Sequence, residues 1–368
     1  MKRILFLIHD LGVGGAEKVL VNLVNHLDRD KYDITLMALF GGGINEQFLK
    51  PHIHYKVVWK KTFPGNSKIL KIASPRVLHK LLIRDSYDVE VAFLESMISR
   101  IISGCPNKKT KLYSWIHIEQ IEKDRGTGSF RNRIEAVKCY QKFSEIVCVS
   151  ETVKECFQSN FPEVKEPVVR YNVIETDKII QLAEFPVQDI VFCKDEINLV
   201  GVGKISKRKG FDKIARIICR LRKEGYKVHF YVLGTGNARE EIEEYLQNNH
   251  IEDYYTFLGY QTNPYNYVRN SDLFICASMA EGFSTAITES LIVGTPVCTV
   301  RVSGMQELLG DNEWGMITDN SENALYDGIK TLLDDPDLLS HYRKKALERG
   351  KQFSLDEQVR AIESLLSE

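Results

Sequence analysis

Short apolar runs rich in β-branched residues alternate with segments of helical apolar period along nearly the whole chain. RILFLI (3–8) leads to GAEKVLVNLVNHL (15–27), then DITLMAL (33–39), HYKVVW (54–59) and a basic helical segment near 66–84. DVEVAFL (88–94), KLYSWIH (111–117), a helix near 130–142 and EIVCVS (145–150) continue the series. Strands this uniformly apolar must be covered on both faces, and a parallel βαβ series does that. The alternation stops at 173–196, where no sheet-building strand is legible. It restarts with INLVGVG (197–203), a helix over 209–224, VHFYVLG (228–234) and a helix over 237–249. A strand over 254–258, DLFICAS (272–278), a helix over 285–293 and PVCTV (296–300) complete it. The expected fold class is α/β, with two Rossmann-like domains facing across a cleft and ligands held outside the carboxyl ends of the strands. From about 321 the chain reads as helical, with breaks at Asp335-Pro336 and Phe353-Ser354. Ser354 and Glu357 have the spacing of a capping box.

A chain of 368 residues is too long for one ordinary core, and 43% hydrophobic with 27% charged residues is a globular composition. No apolar run is long enough to span a bilayer. The opening MKRILFLIHD has the basic start of a signal peptide, but its apolar run is short and Asp10 interrupts it, so it reads as a first strand. The eight cysteines show no C-x-x-C spacing and lie mostly among apolar residues, as reduced, buried thiols of a cytoplasmic protein would. Net charge is −1, yet residues 47–84 hold nine Lys/Arg and no Asp or Glu. That interval, with Phe48, Tyr55, Trp59 and Phe63, suits an anionic membrane surface or a phosphate-bearing acceptor; a solvated basic face is the alternative. No nucleic-acid partner is expected.

Several glycine loops follow strands. HDLGVGGAEKV has Gly12-x-Gly14, but the third glycine of a dinucleotide fingerprint falls at Glu17 and no acid ends the next strand, which disfavours NAD. A turn offering backbone N–H groups to an anion remains, beside a purely structural turn. GVGKISKRKGFDKI (201–214) sets Lys204, Lys207, Arg208 and Lys209 before a helix, where cations oppose the helix dipole unless an anion is bound. VLGTGNAREEIEEYL (232–246), with Gly234, suits tight packing or ligand contact equally. Asp28-Arg29-Asp30 reads as a solvated turn, and no His/Cys/Asp/Glu cluster has metal spacing, so neither metal nor cofactor is expected. His117 ends a strand where a ligand hydroxyl or proton transfer would be served, or where a histidine is simply half-buried. In AEGFSTAITESLIVGTPV (280–297), Glu281 precedes a helix start and Glu289 lies inside it. These acids could be catalytic partners, metal ligands or hydroxyl binders.

GGAEKV (14–19), His117, GKISKRKG (203–210), VLGTGNAREEIE (232–243) and EGFSTAITE (281–289) occur in an order that resembles retaining nucleotide-sugar glycosyltransferases of family four, of the type that builds capsule and surface polysaccharides. The resemblance spans the chain and implies the GT-B architecture. It implies an N-terminal acceptor-side domain over 1–175, a donor domain over 176–351, and a last segment, 352–368, crossing back to the first. By resemblance, His117, Glu281 and Lys209 are catalytic. Glu289 would accept both ribose hydroxyls, and Glu281 would hold the donor sugar. Gly282 and the amides of Phe283, Ser284 and Thr285 would cradle the phosphate. Lys204 and Lys209 would neutralise the leaving diphosphate without a metal. Gly15 and Gly234 would let backbone approach the donor. The implied reaction retains anomeric configuration, the departing phosphate taking the acceptor's proton, so no general base is required. The chain departs from the family at Lys204, often Arg, at Ser284, often Gly, and at Asn172-Val173, often Asn-Pro or Asn-Gly.

The expected function is transfer of a hexose or N-acetylhexosamine, UDP-linked for preference, to a glycan or lipid-linked saccharide by a cytoplasmic, peripherally membrane-associated enzyme. An epimerase on the same scaffold and a non-catalytic glycosyltransferase-like partner subunit are the alternatives. The Glu281/Glu289 pairing disfavours the first, and the intact set of His117, Lys209, Glu281 and Glu289 disfavours the second.

Overall fold

The computed structural model describes residues 1–119 and 128–367, in two compact units. The first comprises Met1–Val173 and Asp356–Glu368, the second Ile174–Leu355.

The first unit runs β1 (Lys2–Ile8), α1 (Gly15–His26), β2 (Tyr32–Phe40), β3 (His54–Trp59), α2 (Asn66–Ile72), α3 (Pro75–Leu82), β4 (Val89–Ala92) and α4 (Met97–Ile102). It continues with β5 (Lys111–Ile116), α5 (Arg133–Tyr140), β6 (Glu145–Cys148), α6 (Glu151–Asn160) and β7 (Val168–Val169). The second runs α7 (Thr176–Ala183), β8 (Ile197–Val202), α8 (Phe211–Lys223), β9 (Val228–Leu233), α9 (Arg239–Asn248), β10 (Tyr255–Gly259) and α10 (Tyr265–Arg269). β11 (Leu273–Cys276), α11 (Thr285–Val293), β12 (Val297–Val300), α12 (Met305–Leu309), β13 (Met316–Thr318), α13 (Glu322–Asp334) and α14 (Pro336–Gly350) follow. The last helix, α15 (Leu355–Ser367), bonds to the first unit: Tyr113 Oη donates to the Leu365 carbonyl at 3.0 Å and Lys2 Nζ to that of Leu366 at 2.8 Å.

Every strand pairing is parallel, in the order β3-β2-β1-β4-β5-β6-β7 and β10-β9-β8-β11-β12-β13. Each sheet grows outward in two directions from a central pair, β1/β4 in one and β8/β11 in the other. At such a switch point the loops leaving two adjacent strands part to opposite sides and open a crevice at the carboxyl edge. The central strands explain the apolar runs: Ile4 to Ile8 are all fully buried, each contributing roughly 1.5–3 kcal/mol relative to exposure. β3, at the sheet edge, is half exposed.

The basic segment 66–84 forms two helices where the sequence suggests one. Ser74 precedes Pro75, and the residue before a proline is driven out of helical geometry. Ala73 and Ser74 are extended, and Ser74 Oγ caps α3 by accepting the Val77 N–H. The end of α2 is held by Arg100, a fully buried guanidinium that donates to the carbonyls of Leu70 (3.0 Å) and Ala73 (2.7 Å) and to Glu135 (3.1 Å). Among the described residues no helix is long and apolar enough to cross a membrane. All eight cysteines are free; Cys139, Cys148, Cys219 and Cys298 are buried, whereas Cys105, Cys156, Cys193 and Cys276 are only half-buried, a correction to the expectation of buried thiols throughout.

Candidate active site

In the second unit the loops leaving β8 and β11 meet at the switch point. Lys209 ends a 3-10 turn over Lys207–Lys209, and Gly210 then turns the chain into α8 in a left-handed conformation (φ 71°). A Cβ on Gly210 would lie 2.2 Å from the Ala277 carbonyl oxygen, so only glycine permits the two loops to touch. Their contact is closed by the Met279 N–H, which donates to the Arg208 carbonyl at 2.8 Å. Lys209 Nζ is thereby held 2.5 Å from Glu281 Oε1, an ion pair with side chains 32% and 12% exposed. Partial burial makes this charge-assisted bond stronger than a surface pair.

Glu281 stands before α11. Ser284 caps that helix, its Oγ accepting the Ile287 N–H at 3.4 Å and its carbonyl accepting the Thr288 N–H at 3.1 Å. The amides of Thr285 and Ala286 are first-turn donors with no carbonyl of their own helix to bond, and the positive end of the helix dipole lies behind them. Phe283 is buried beside them, and Glu289 is buried one turn further along the helix. Lys209, Glu281, Ser278, Cys276, Ser284 and Ala286 line a small solvent-open recess, together with the apolar Val202, Phe274 and Ile275. Burial, and then the Glu281 charge, raise the Cys276 pKa and keep its thiol protonated. An ammonium, a carboxylate, hydroxyls and helix-terminal amides around one recess can bind a polyol that carries an anion.

The remaining predicted residues of this unit lie on the same sheet edge but not all at the recess. Lys204 is exposed and has no ion-pair partner among the described residues, whereas Lys207 pairs with Glu241 at 3.0 Å. Gly234 follows β9 with φ 147°, and a Cβ there would lie 1.9 Å from the Gly203 carbonyl oxygen. Gly282 is buried in the loop before α11. Ser278, Cys276 and Ala286 were missed by sequence reasoning; only their position at a strand end and in a helix's first turn could have signalled them.

In the first unit Gly15 opens α1, and the turn before it is braced by the Gly12 N–H donating to Asp10 Oδ1 at 2.8 Å and by Asn45 Nδ2 donating to the Gly12 carbonyl. His117 is the first residue past β5. Its N–H donates to Glu95 Oε2 at 3.0 Å, and its ring lies tilted against Phe93 with centroids 4.7 Å apart. Its Nε2 is buried without a partner among the described residues, and burial pushes its pKa down to about 3, so the ring is neutral at ordinary pH. Glu95 lies at the switch point too, beside Ser96, whose φ of 64° is strained for a residue with a Cβ.

Spacing along the chain also hid a convergence of His79, Glu90 and Cys105, whose potential ligand atoms lie within 4.8 Å of one another. His79 Nε2 is 2.7 Å from Glu90 Oε2, and Cys105 Sγ donates to Glu90 Oε1 at 3.7 Å. A buried carboxylate on a central strand needs a counter-charge, and His79 supplies it.

Comparison with solved structures places the fold. Over its full length the chain superposes on HepE of Anabaena in complex with UDP and glucose, with TM-score 0.77, 18% identity and 100% of both chains covered. It superposes equally on sucrose-phosphate synthase from Thermosynechococcus elongatus, with TM-score 0.80, 15% identity and 100% and 98% covered. Two Rossmann-like units with this pair of strand orders give the chain the GT-B fold. The model of glycosyltransferase family 4 matches residues 13–178, and that of glycosyl transferases group 1 matches residues 187–349. The chain is 29% identical over 360 residues to the N-acetylgalactosamine-N,N'-diacetylbacillosaminyl-diphospho-undecaprenol 4-alpha-N-acetylgalactosaminyltransferase of Campylobacter jejuni, with 96% of each chain covered. This protein belongs to the family-four glycosyltransferases.

Proposed function

We propose that the protein transfers a hexose or N-acetylhexosamine from a UDP-sugar, with retention of configuration and without a metal, to a lipid-linked saccharide in the assembly of a surface glycan. The observation that carries the reading is the Lys209–Glu281 pair beside the capped start of α11. The Thr285 and Ala286 amides and the Lys209 ammonium receive the diphosphate, and Glu281 holds sugar hydroxyls. Glu289 takes the ribose hydroxyls, and neutral His117 meets the sugar near its anomeric carbon. Lys204 and Gly234 serve the nucleotide, and Gly15 lets the first unit's turn approach the donor. The leaving phosphate takes the proton of the incoming hydroxyl, so no separate base is needed. The names of the Campylobacter relative and of the UDP-bound HepE support acceptor class and base. A thermal-shift screen against UDP-, GDP- and ADP-sugars in the presence of EDTA tests it. At 100 times its dissociation constant the right donor stabilises by about 2.7 kcal/mol. Stabilisation by none of them, or only after a divalent cation is added, contradicts the reading.

The same reading places residues 47–84 against an anionic membrane surface. Ile69 and Ile72 on α2 and Val77 and Leu81 on α3 are exposed, interleaved with exposed Lys68, Arg76 and Lys80. Apolar residues set among cations are what an anionic headgroup layer attracts. Co-sedimentation with phosphatidylglycerol vesicles is expected to be salt-sensitive and to be lost in Ile72→Glu/Leu81→Glu. Equal binding to phosphatidylcholine vesicles, or unchanged binding of that variant, argues against it.

A further inference from the structure

The carboxyl ends of β1, β2 and β3 carry a row of rings that the donor machinery leaves unused. His9 follows β1 and tilts against Phe40 at the end of β2, with centroids 4.9 Å apart. Phe40 stacks on Trp59 at the end of β3 (5.4 Å, 27° between planes), and Phe63 stands against Trp59 nearly at right angles (5.6 Å, 82°). Phe40 is buried, while Trp59 and Phe63 are half-exposed above it. The result is an aromatic corner facing outward on a buried support. His9 Nδ1 lies 2.6 Å from Asp10 Oδ2, and because a carboxylate only accepts, Nδ1 is the donor. The next two residues after Trp59, Lys60 and Lys61, are exposed and have no ion-pair partner among the described residues.

We infer that this corner is an acceptor subsite that stacks a pyranose ring on Trp59 and Phe63 and holds a diphosphate attached to that sugar with Lys60 and Lys61. Each part answers to one part of the ligand. A pyranose presents a face of C–H bonds that packs on an aromatic plane, and a rim of hydroxyls that needs polar partners. His9, at the edge of the corner beside Phe40, supplies a polar partner to that rim. With Lys60 and Lys61 exposed and without an ion-pair partner among the described residues, the site favours a sugar that carries negative charge. Phe40 beneath and His9 beside the platform restrict it to one orientation, with little ordering cost on binding. The inference rests on the glycosyltransferase reading, which supplies the need for an acceptor, but its residues are distinct from those assigned to the donor.

Calorimetric titration of the full chain tests it with geranyl-diphosphate-linked glucose, galactose, N-acetylglucosamine and N-acetylgalactosamine. Phenyl glycosides of the same sugars and geranyl diphosphate alone separate the two halves of the ligand. At least one glycosyl diphosphate is expected to bind more tightly than either half. Trp59→Leu is expected to weaken it about tenfold and Trp59→Phe by no more than about threefold. Lys60→Glu/Lys61→Glu is expected to weaken diphosphate-bearing ligands about tenfold while sparing the phenyl glycoside. Thermal stabilisation by UDP reports the donor side and should be unchanged in every variant, which also shows that the variants fold. If UDP still binds while Trp59→Leu keeps full affinity, or while wild type binds none of the four glycosyl diphosphates, the subsite is refuted and the glycosyltransferase reading stands. If wild type binds no nucleotide sugar, that reading fails first.

Discussion

Lys209→Ala is expected to lower kcat/KM for the nucleotide sugar by about 10²–10³-fold, mostly through kcat. The Lys209 ammonium is held at the mouth of the recess, 2.5 Å from Glu281, by a glycine turn that tolerates no side chain. Negative charge on the diphosphate grows as the glycosidic bond breaks, so a fixed cation there stabilises the transition state more than the bound donor. Glu281→Gln should cost less than Lys209→Ala, because a neutral amide still accepts one hydroxyl hydrogen bond. The Lys209→Ala/Glu281→Gln double variant should lose less than the product of the single losses, since the two side chains share one bond. Lys209→Arg should recover part of the rate, limited by a planar group in a place shaped for a point charge. Initial rates of UDP release with saturating acceptor measure all four. A Lys209→Ala enzyme within about threefold of wild type would remove Lys209 from the chemistry.

Lys209 and Glu281 each follow an apolar strand, and each was legible as a strand-end residue. That they touch depends on β8 lying beside β11, an order that no local pattern states. The helix start at Thr285 was legible from Ser284, since a serine ahead of an apolar helical run is a capping signal. Most long strands and helices were legible too, because burial on both faces writes an apolar run into the sequence. What was missed is short or non-local. α10 and α12 span five residues each and β13 three, too few for a period to register. Arg100, in MISRII, is fully buried and anchors the end of α2. Its partners lie about thirty residues away on either side: upstream the backbone carbonyls of Leu70 and Ala73, which any residue could supply, and downstream the Glu135 carboxylate. His79, Glu90 and Cys105 escaped for the same reason.

That buried pair sets the second large effect. His79→Leu is expected to destabilise the first unit by about 3–5 kcal/mol, because it strands the Glu90 carboxylate without a counter-charge. For a domain of this size that corresponds to roughly 6–20 °C in Tm. Glu90→Leu alone should cost less, since a lone imidazole can shed its proton, and His79→Leu/Glu90→Leu should recover much of the loss. Burial by itself would lower the His79 pKa, but hydrogen bonds to Cys105 and Glu90 outweigh it and raise the value to about 9. A folded value above the unfolded 6.5 means the folded state binds the extra proton. The pair's contribution is therefore complete below about pH 6.5 and fades as pH rises through about 9. His117 acts in the opposite sense: with its pKa pushed down to about 3, the unfolded chain takes up a proton that the folded one refuses, and stability falls as pH drops from 6.5 toward 3. Scanning calorimetry from pH 5 to 10 should show wild-type stability declining on the alkaline side, and His79→Leu/Glu90→Leu should lose the His79 share of that decline. An alkaline limb that is identical in the two proteins would mean that His79 is neutral in the fold.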